Sequence, residues 1–220
     1  MDIKKEIETT LRQTKREGIE DLLNYMDEAG FYTSPASTKY HGAAAGQLAV
    51  HSLNVCNAAI DLATAWCGEN WVDNNINSIV ICALLHDLGK AGQFNKPYYV
   101  DNVLKTGQSK AQPFKVNDEL MTLDHELVSV IEASKYIKLT EDEQRAIAWH
   151  NGLYGLFKYQ IAGKETPLYM IIHFADMWAS RVMESDDIKI AKTIETGDED
   201  VIKKWSMKQA NDFIEKNKGV

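Results

Sequence analysis

Six histidines occur in this 220-residue chain, all between positions 41 and 173. His51 sits on an apolar stripe formed by Leu48, Val55, Ala59 and Leu62. His86 and Asp87 follow seven consecutive apolar residues, Ile79 to Leu85, and Asp176 is embedded in the apolar stretch from Leu168 to Ala179. A carboxylate in such surroundings stays charged only if it is paired or bound to a metal. One histidine on an apolar face is ordinarily a hydrogen-bonded core residue, and one buried aspartate ordinarily pairs with an arginine or caps a helix. Four such residues on three apolar segments, with Lys and Arg nearly absent from the same faces, predict a buried divalent cation. Imidazole and carboxylate ligands suit Mn, Fe, Co, Ni or Zn better than Ca, and the lack of nearby cysteines disfavours a structural zinc site.

Helix position agrees with this. His86-Asp87 and His150 are expected in the last turns of their helices, where free carbonyls favour a cation. Adjacent helical residues point about 100° apart. His86 and Asp87 therefore either converge on an ion beyond the helix end, or Asp87 bridges two ions.

The elements that must carry these residues are mostly helical. Ile3, Ile7 and Leu11, then Ile19, Leu22, Leu23 and Met26, form two stripes around Gly18. Residues 47–66 form a helix, and Asn74 to Asn77 offer N-cap chemistry for a central one running to Leu88 and stopped by Gly89. Further helices are expected from Asp124 to Lys138, from a Thr140/Glu143 capping box to His150, and from Leu168 to about Met183. Pro97-Tyr98-Tyr99-Val100 and Pro113-Phe114-Lys115-Val116 predict a small β-hairpin or flap at about 96–117. Trp149 and Trp178 are expected in the core. There is no repeat and no linker, so an all-α single domain spanning 1–220 is expected.

With 24 Lys and Arg against 32 Asp and Glu, the net charge is −8, which excludes a protein that coats long duplex nucleic acid. The three cysteines have no ligand-like spacing and read as buried apolar residues in a reducing compartment. Charge near the N-terminus and the shortness of every apolar run predict a cytoplasmic protein with no membrane association.

His51, then Leu84-Leu85-His86-Asp87-Leu88-Gly89-Lys90, then Ala175-Asp176-Met177 resemble the H…HD…D signature of the HD-domain metal-dependent phosphohydrolases. The resemblance covers about 33–184, leaving helices 1–30 and a segment 185–220 as flanks. Tyr40-His41-Gly42 through Leu48, Leu123-Asp124-His125 and Trp149-His150-Asn151 resemble the extra histidine segments of one branch, found in small bacterial and phage-encoded proteins. Gln47 departs from that branch, which has glycine there. The resemblance implies a helical bundle with a central metal site. It implies that His51, His86, Asp87 and Asp176 hold a first metal, manganese foremost, with iron, cobalt, nickel, zinc or magnesium as other candidates. His125 and His150 would hold a second ion beside Asp87 or contact phosphate. Lys90 would reach a phosphate oxygen, His41 would contact substrate or donate a proton, and His173 would orient Asp176.

Such a site implies water attacking phosphorus on a nucleotide or a short or cyclic oligonucleotide. That covers a phosphomonoesterase, a phosphodiesterase or a nucleoside triphosphate hydrolase. Residues 88–116 carry five lysines against one acid, a net +4, leaving −12 on the rest of the chain. Lys96 and Lys115 with Tyr98 would offer charge to phosphates and a ring to a base, and Tyr154 would line the pocket. The other outcome for this segment is a solvated hairpin whose lysines blunt a strand edge. The acidic run Glu184, Asp186 and Asp187 reads as solvated surface. Alternative functions are a di-iron HD-type oxygenase and a non-catalytic metal- or nucleotide-binding module. The terminal helices could serve as lids, as packing or as the faces of a homo-oligomer.

Overall fold

The apolar run Ile79–Leu85 is buried to its last residue. Complete burial of Ile79, Ile81, Leu84 and Leu85 is worth about 1.5–3 kcal/mol each, so the end of their helix is fixed in the core. The computed structural model describes residues 2–39, 42–120, 123–155 and 157–185. Its helices are α1 (Ile3–Gln13), α2 (Ile19–Glu28), α3 (Gln47–Cys67), α4 (Glu69–Leu85), α5 (His125–Ser134), α6 (Glu141–Ala148), α7 (Lys158–Ile161) and α8 (Pro167–Trp178). The fold is all-α with small antiparallel strands. Helix α4 packs against α1, α3, α6 and α8, and α3 also packs on α8.

Helix α4 begins five residues before the Asn74 cap expected from the sequence. The amides of Asn74 and Asn75 instead bond back to the carbonyls of Asn70 and Trp71, at 2.7 and 2.8 Å. The helix ends at Leu85, and His86 caps it. A 3-10 turn, Leu88–Lys90, follows and lies flat on α5. Gly89 makes that possible, because a Cβ there would lie 2.4 Å from the His125 carbonyl oxygen and 2.9 Å from Val128 Cβ. The Gly89 N–H donates to Ser129 Oγ at 2.9 Å, and Ser129 donates on to the His125 carbonyl at 2.8 Å.

The flap is three small antiparallel pairs. Strands β1 (Gly92–Gln93) and β2 (Lys96–Pro97) pair around Phe94 and Asn95, both at positive φ as a tight hairpin turn requires. Strands β3 (Tyr99–Asp101) and β6 (Phe114–Val116) enclose β4 (Val103–Leu104) and β5 (Gly107–Gln108). Strand pairing thus begins at residue 92, before the expected boundary.

Thr140 and Glu143 form the capping box expected of them, and Glu143 is fully buried. It receives Arg16 at 2.6 and 3.0 Å and the Ser78 hydroxyl at 2.8 Å, tying the α1–α2 connection to the core. Cys56 and Cys82 are buried, but Cys67, at the end of α3, is exposed. Among the described residues no helix is long and apolar enough to cross a membrane. Residues 186–220, with most of the expected C-terminal segment, lie outside the described residues.

Candidate metal centre

Five helices bring their residues together beneath the flap. Helix α3 presents His51 from its first turns, and the end of α4 presents His86 and Asp87. Helix α5 opens with His125, the turn after α6 carries His150, and α8 contributes Asp176. His51, His86, Asp87 and His150 are all but inaccessible to solvent.

Asp87 stands at the middle. Its Oδ2 lies 3.4 Å from His86 Nε2 and 3.7 Å from His51 Nε2. Its Oδ1 lies 3.2 Å from His125 Nε2 and 3.5 Å from His150 Nε2. Asp176 Oδ1 is 3.2 Å from His51 Nε2 and 4.0 Å from His86 Nε2. Lys90 donates to Asp87 Oδ2 at 2.7 Å.

The outer nitrogens of three rings are already occupied. His86 Nδ1 is 2.8 Å from the Ala83 carbonyl, and His150 Nδ1 is 2.7 Å from the Ile147 carbonyl. His51 Nδ1 is 2.9 Å from Glu184 Oε1. Each partner oxygen only accepts, so each Nδ1 carries the proton and each Nε2 faces inward, which is the tautomer a ligating imidazole needs.

The charges follow from this packing. Burial pulls the His51 pKa down, but hydrogen bonds to Asp176 and Glu184 and their negative charge outweigh it and raise it to about 10. Burial would lift the Asp87 pKa, yet Lys90, His86 and the His125 and His150 rings beside it hold it well below the usual carboxylate range. Asp176 is likewise lowered, by the His51 hydrogen bond and the surrounding histidines, against the effect of its burial. Burial and the charge of Lys90 lower His125. Burial opposes the shift of His150, but the nearby carboxylate of Asp87 raises it.

The residues present fit a divalent ion. Three sets of donor atoms, His51/His86/Asp87, His86/His150/Asp176 and Asp87/His125/His150, each lie within 4.8 Å of one another. Ligands about 2.1 Å from a common ion are about 3.0–3.4 Å apart at right-angled or tetrahedral positions, close to the shortest separations here. Asp87 Oδ1 is buried with no aligned hydrogen-bond donor, an arrangement that is costly unless something else meets that oxygen.

The other expected site residues are distributed unevenly. The Tyr98 ring lies edge-on to His125, with centroids 6.4 Å apart. Tyr154 is 78% exposed and lines a cleft of about 200 Å³ with His150 and Asp176. Lys96 pairs with Glu119 at 3.3 Å and Lys115 with Asp118 at 2.7 Å, and among the described residues neither touches the cluster. The strand register explains Lys115. It is paired with Val100, so its side chain lies on the face opposite to those of Tyr99 and Val116. His173 donates to the His150 carbonyl at 2.6 Å and packs over Gly152, so it supports the His150 turn rather than Asp176. His41 lies outside the described residues.

Sequence reasoning missed two residues that support the site. Glu184, expected on the surface, is buried and accepts from His51 and, at 3.1 Å, from Asn54. Glu126 is buried beside His125, and Asn151 donates to it at 2.6 Å. The placement of Glu126 directly after His125 in the first turn of α5 was the available signal for it. Trp178, expected in the core, is 54% exposed.

A sequence profile of the HD domain matches residues 48–176, more than half of the chain and a span that includes His51, His86, Asp87, His125, His150 and Asp176. No curated protein and no solved structure matches the chain. On its profile match, its helical fold and its cluster of histidines and aspartates, the chain belongs to the HD domain family.

Proposed function

We propose that the chain is a divalent-metal-dependent phosphohydrolase that cleaves a phosphoester of a nucleotide or of a short or cyclic oligonucleotide. The observation that carries this reading is the double use of Asp87. One of its oxygens faces His51, His86 and Lys90, and the other faces His125 and His150. His51, His86, Asp87 and Asp176 would hold the first ion, and His125 and His150 would hold a second or contact phosphate. A bound divalent ion supplies a polarised phosphoryl oxygen and a water of lowered pKa.

The side chains divide the remaining work. Lys90 rests on Asp87, and its ammonium can transfer to a phosphate oxygen as charge accumulates there. Burial and the charge of Lys90 lower the His125 pKa and so favour its uncharged imidazole, the form that ligates. Tyr98 and Tyr99 wall the Lys90 side, where burial raises both phenols and keeps them protonated donors. The cleft beside His150 and Asp176 is small for a ligand pocket, which favours one nucleotide unit over a duplex. The same reading takes residues 1–220 as one domain, with α1 and α2 anchored through Arg16 and Glu143.

The test is hydrolysis of a nucleotide and short-oligonucleotide panel by manganese-loaded protein in ¹⁸O-labelled water. Label in the phosphate-bearing product, lost on chelation, is expected. Iron-dependent oxygen uptake without any phosphoester cleavage would overturn the reading in favour of an oxygenase.

A further inference from the structure

The chain contains four arginines. Arg12 is paired with Glu8 and Glu20, Arg16 with Glu143, and Arg145 with Glu141. Arg181 has no carboxylate partner among the described residues, although acids outnumber bases in this chain. It lies on the wall of the cleft of about 200 Å³ that also contains His150 and Asp176, with Asn151, Tyr154 and Ser180 beside it.

Its backbone setting is unusual. Helix α8 passes into a single π-helical turn, Ala179–Met183, closed by the Glu184 N–H on the Ala179 carbonyl at 3.0 Å. π turns are rare and recur at functional sites. Here one turn places Arg181 on the cleft and Glu184 against His51. A guanidinium presents paired N–H groups that match two oxygens of one phosphate, and it keeps its charge at any physiological pH.

We propose that Arg181 binds a phosphate group of the substrate, gripping it in the cleft between the Asn151–Tyr154 turn and the π turn. The inference rests on the phosphohydrolase reading and adds to it an anion subsite on the wall shared by His150 and Asp176, supplied by a residue that holds no metal. Tyr154, exposed in the same cleft, is placed to cover whatever the phosphate carries.

The test is calorimetric titration of inorganic phosphate into manganese-loaded full-length protein, for the wild type, Arg181→Gln and Arg181→Lys, with metal content measured on each. Loss of a charge-assisted bidentate contact is expected to weaken phosphate binding about tenfold to a hundredfold in Arg181→Gln. Arg181→Lys should fall between Gln and wild type, and all three should hold equal metal. Binding within twofold of wild type in Arg181→Gln would overturn the inference while leaving the phosphohydrolase reading intact. So would a loss of metal in the variants, which would make Arg181 a support of the cluster. If Arg181→Gln does not fold, the Lys variant decides, since unchanged binding there contradicts a two-pronged grip. Wild-type protein that holds manganese and binds no phosphate would also overturn the inference, while the hydrolysis panel separately decides the reading beneath it.

Discussion

Glu184 Oε1 lies 2.9 Å from Nδ1 of His51, on the far side of the ring from Asp87 and Asp176. The imidazole is therefore gripped by a carboxylate at each nitrogen, and Glu184 determines which nitrogen points inward. Supporting carboxylates of this kind are worth about 10–100-fold in metal affinity. Glu184→Ala is expected to weaken manganese binding by roughly that factor, with Glu184→Gln recovering part of it, as read by competition with a chelating dye. Equal affinity in all three proteins would show that the contact is only packing.

The same grip sets a pH dependence. The Nε2 atoms of His51 and His86 are 3.3 Å apart, and a proton on His51 allows that approach. His51 has a pKa of about 10, and metal binding must displace its proton. Metal affinity should thus rise about tenfold per pH unit between neutrality and pH 10, with proton release measurable in weakly buffered solution. For the metal-free fold, a pKa raised from about 6.5 contributes stability that is fully present below pH 6.5 and lost as pH rises through 10. The lowered pKa of Asp176 acts in the opposite sense. Its contribution is present above about pH 4 and lost as pH falls through the folded value. A metal affinity that is flat from pH 7 to 9 would contradict the assignment of the proton.

Gly89→Ala tests the seating of the 3-10 turn. The added methyl meets the His125 carbonyl oxygen, which a backbone held in a helix cannot readily vacate. A loss of about 1–3 kcal/mol is expected, together with weaker metal binding as Asp87 and His125 are pushed apart. Thermal unfolding with and without manganese checks both, and an unchanged melting temperature would contradict the packing described.

Arg16→Met removes the cation facing the fully buried Glu143. Leaving a buried charge without its partner costs about 3–5 kcal/mol, tempered here by the Ser78 hydroxyl and the Thr140 N–H that still reach Glu143. Arg16 and hydrogen bonds hold the Glu143 pKa low against burial, so this stability is present above about pH 4.3 and disappears on acidification. Urea unfolding of both proteins at pH 7 measures the loss. A difference below about 0.5 kcal/mol, the range of ordinary surface substitutions, would show that the N-terminal helices are not anchored there.

Residues whose environment is local were legible in the sequence. The Thr140/Glu143 capping box and the buried run before His86 each depend on neighbours a few positions away. The start of α4 was misread because Asn74 and Asn75 can satisfy helix carbonyls as well as cap them, and Gly68 had taken the terminus. Glu184 was misread because an acid in an acidic run looks solvated, and what buries it is His51, 133 residues away. The exposure of Trp178 and Cys67 likewise depends on which helix face finds a neighbour, and periodicity shows only that such a face exists.

The most direct test of the account is the dependence of phosphoester turnover on bound metal. Wild-type protein is titrated with manganese while metal content and product are measured on the same samples, alongside His86→Ala and Asp87→Ala. The account predicts turnover proportional to occupancy, abolished by chelation and restored by manganese. It also predicts a fall of roughly 100-fold or more in both variants, which lose residues expected to ligate the ion directly. Full occupancy without turnover on any phosphoester, or undiminished turnover in Asp87→Ala, would contradict it.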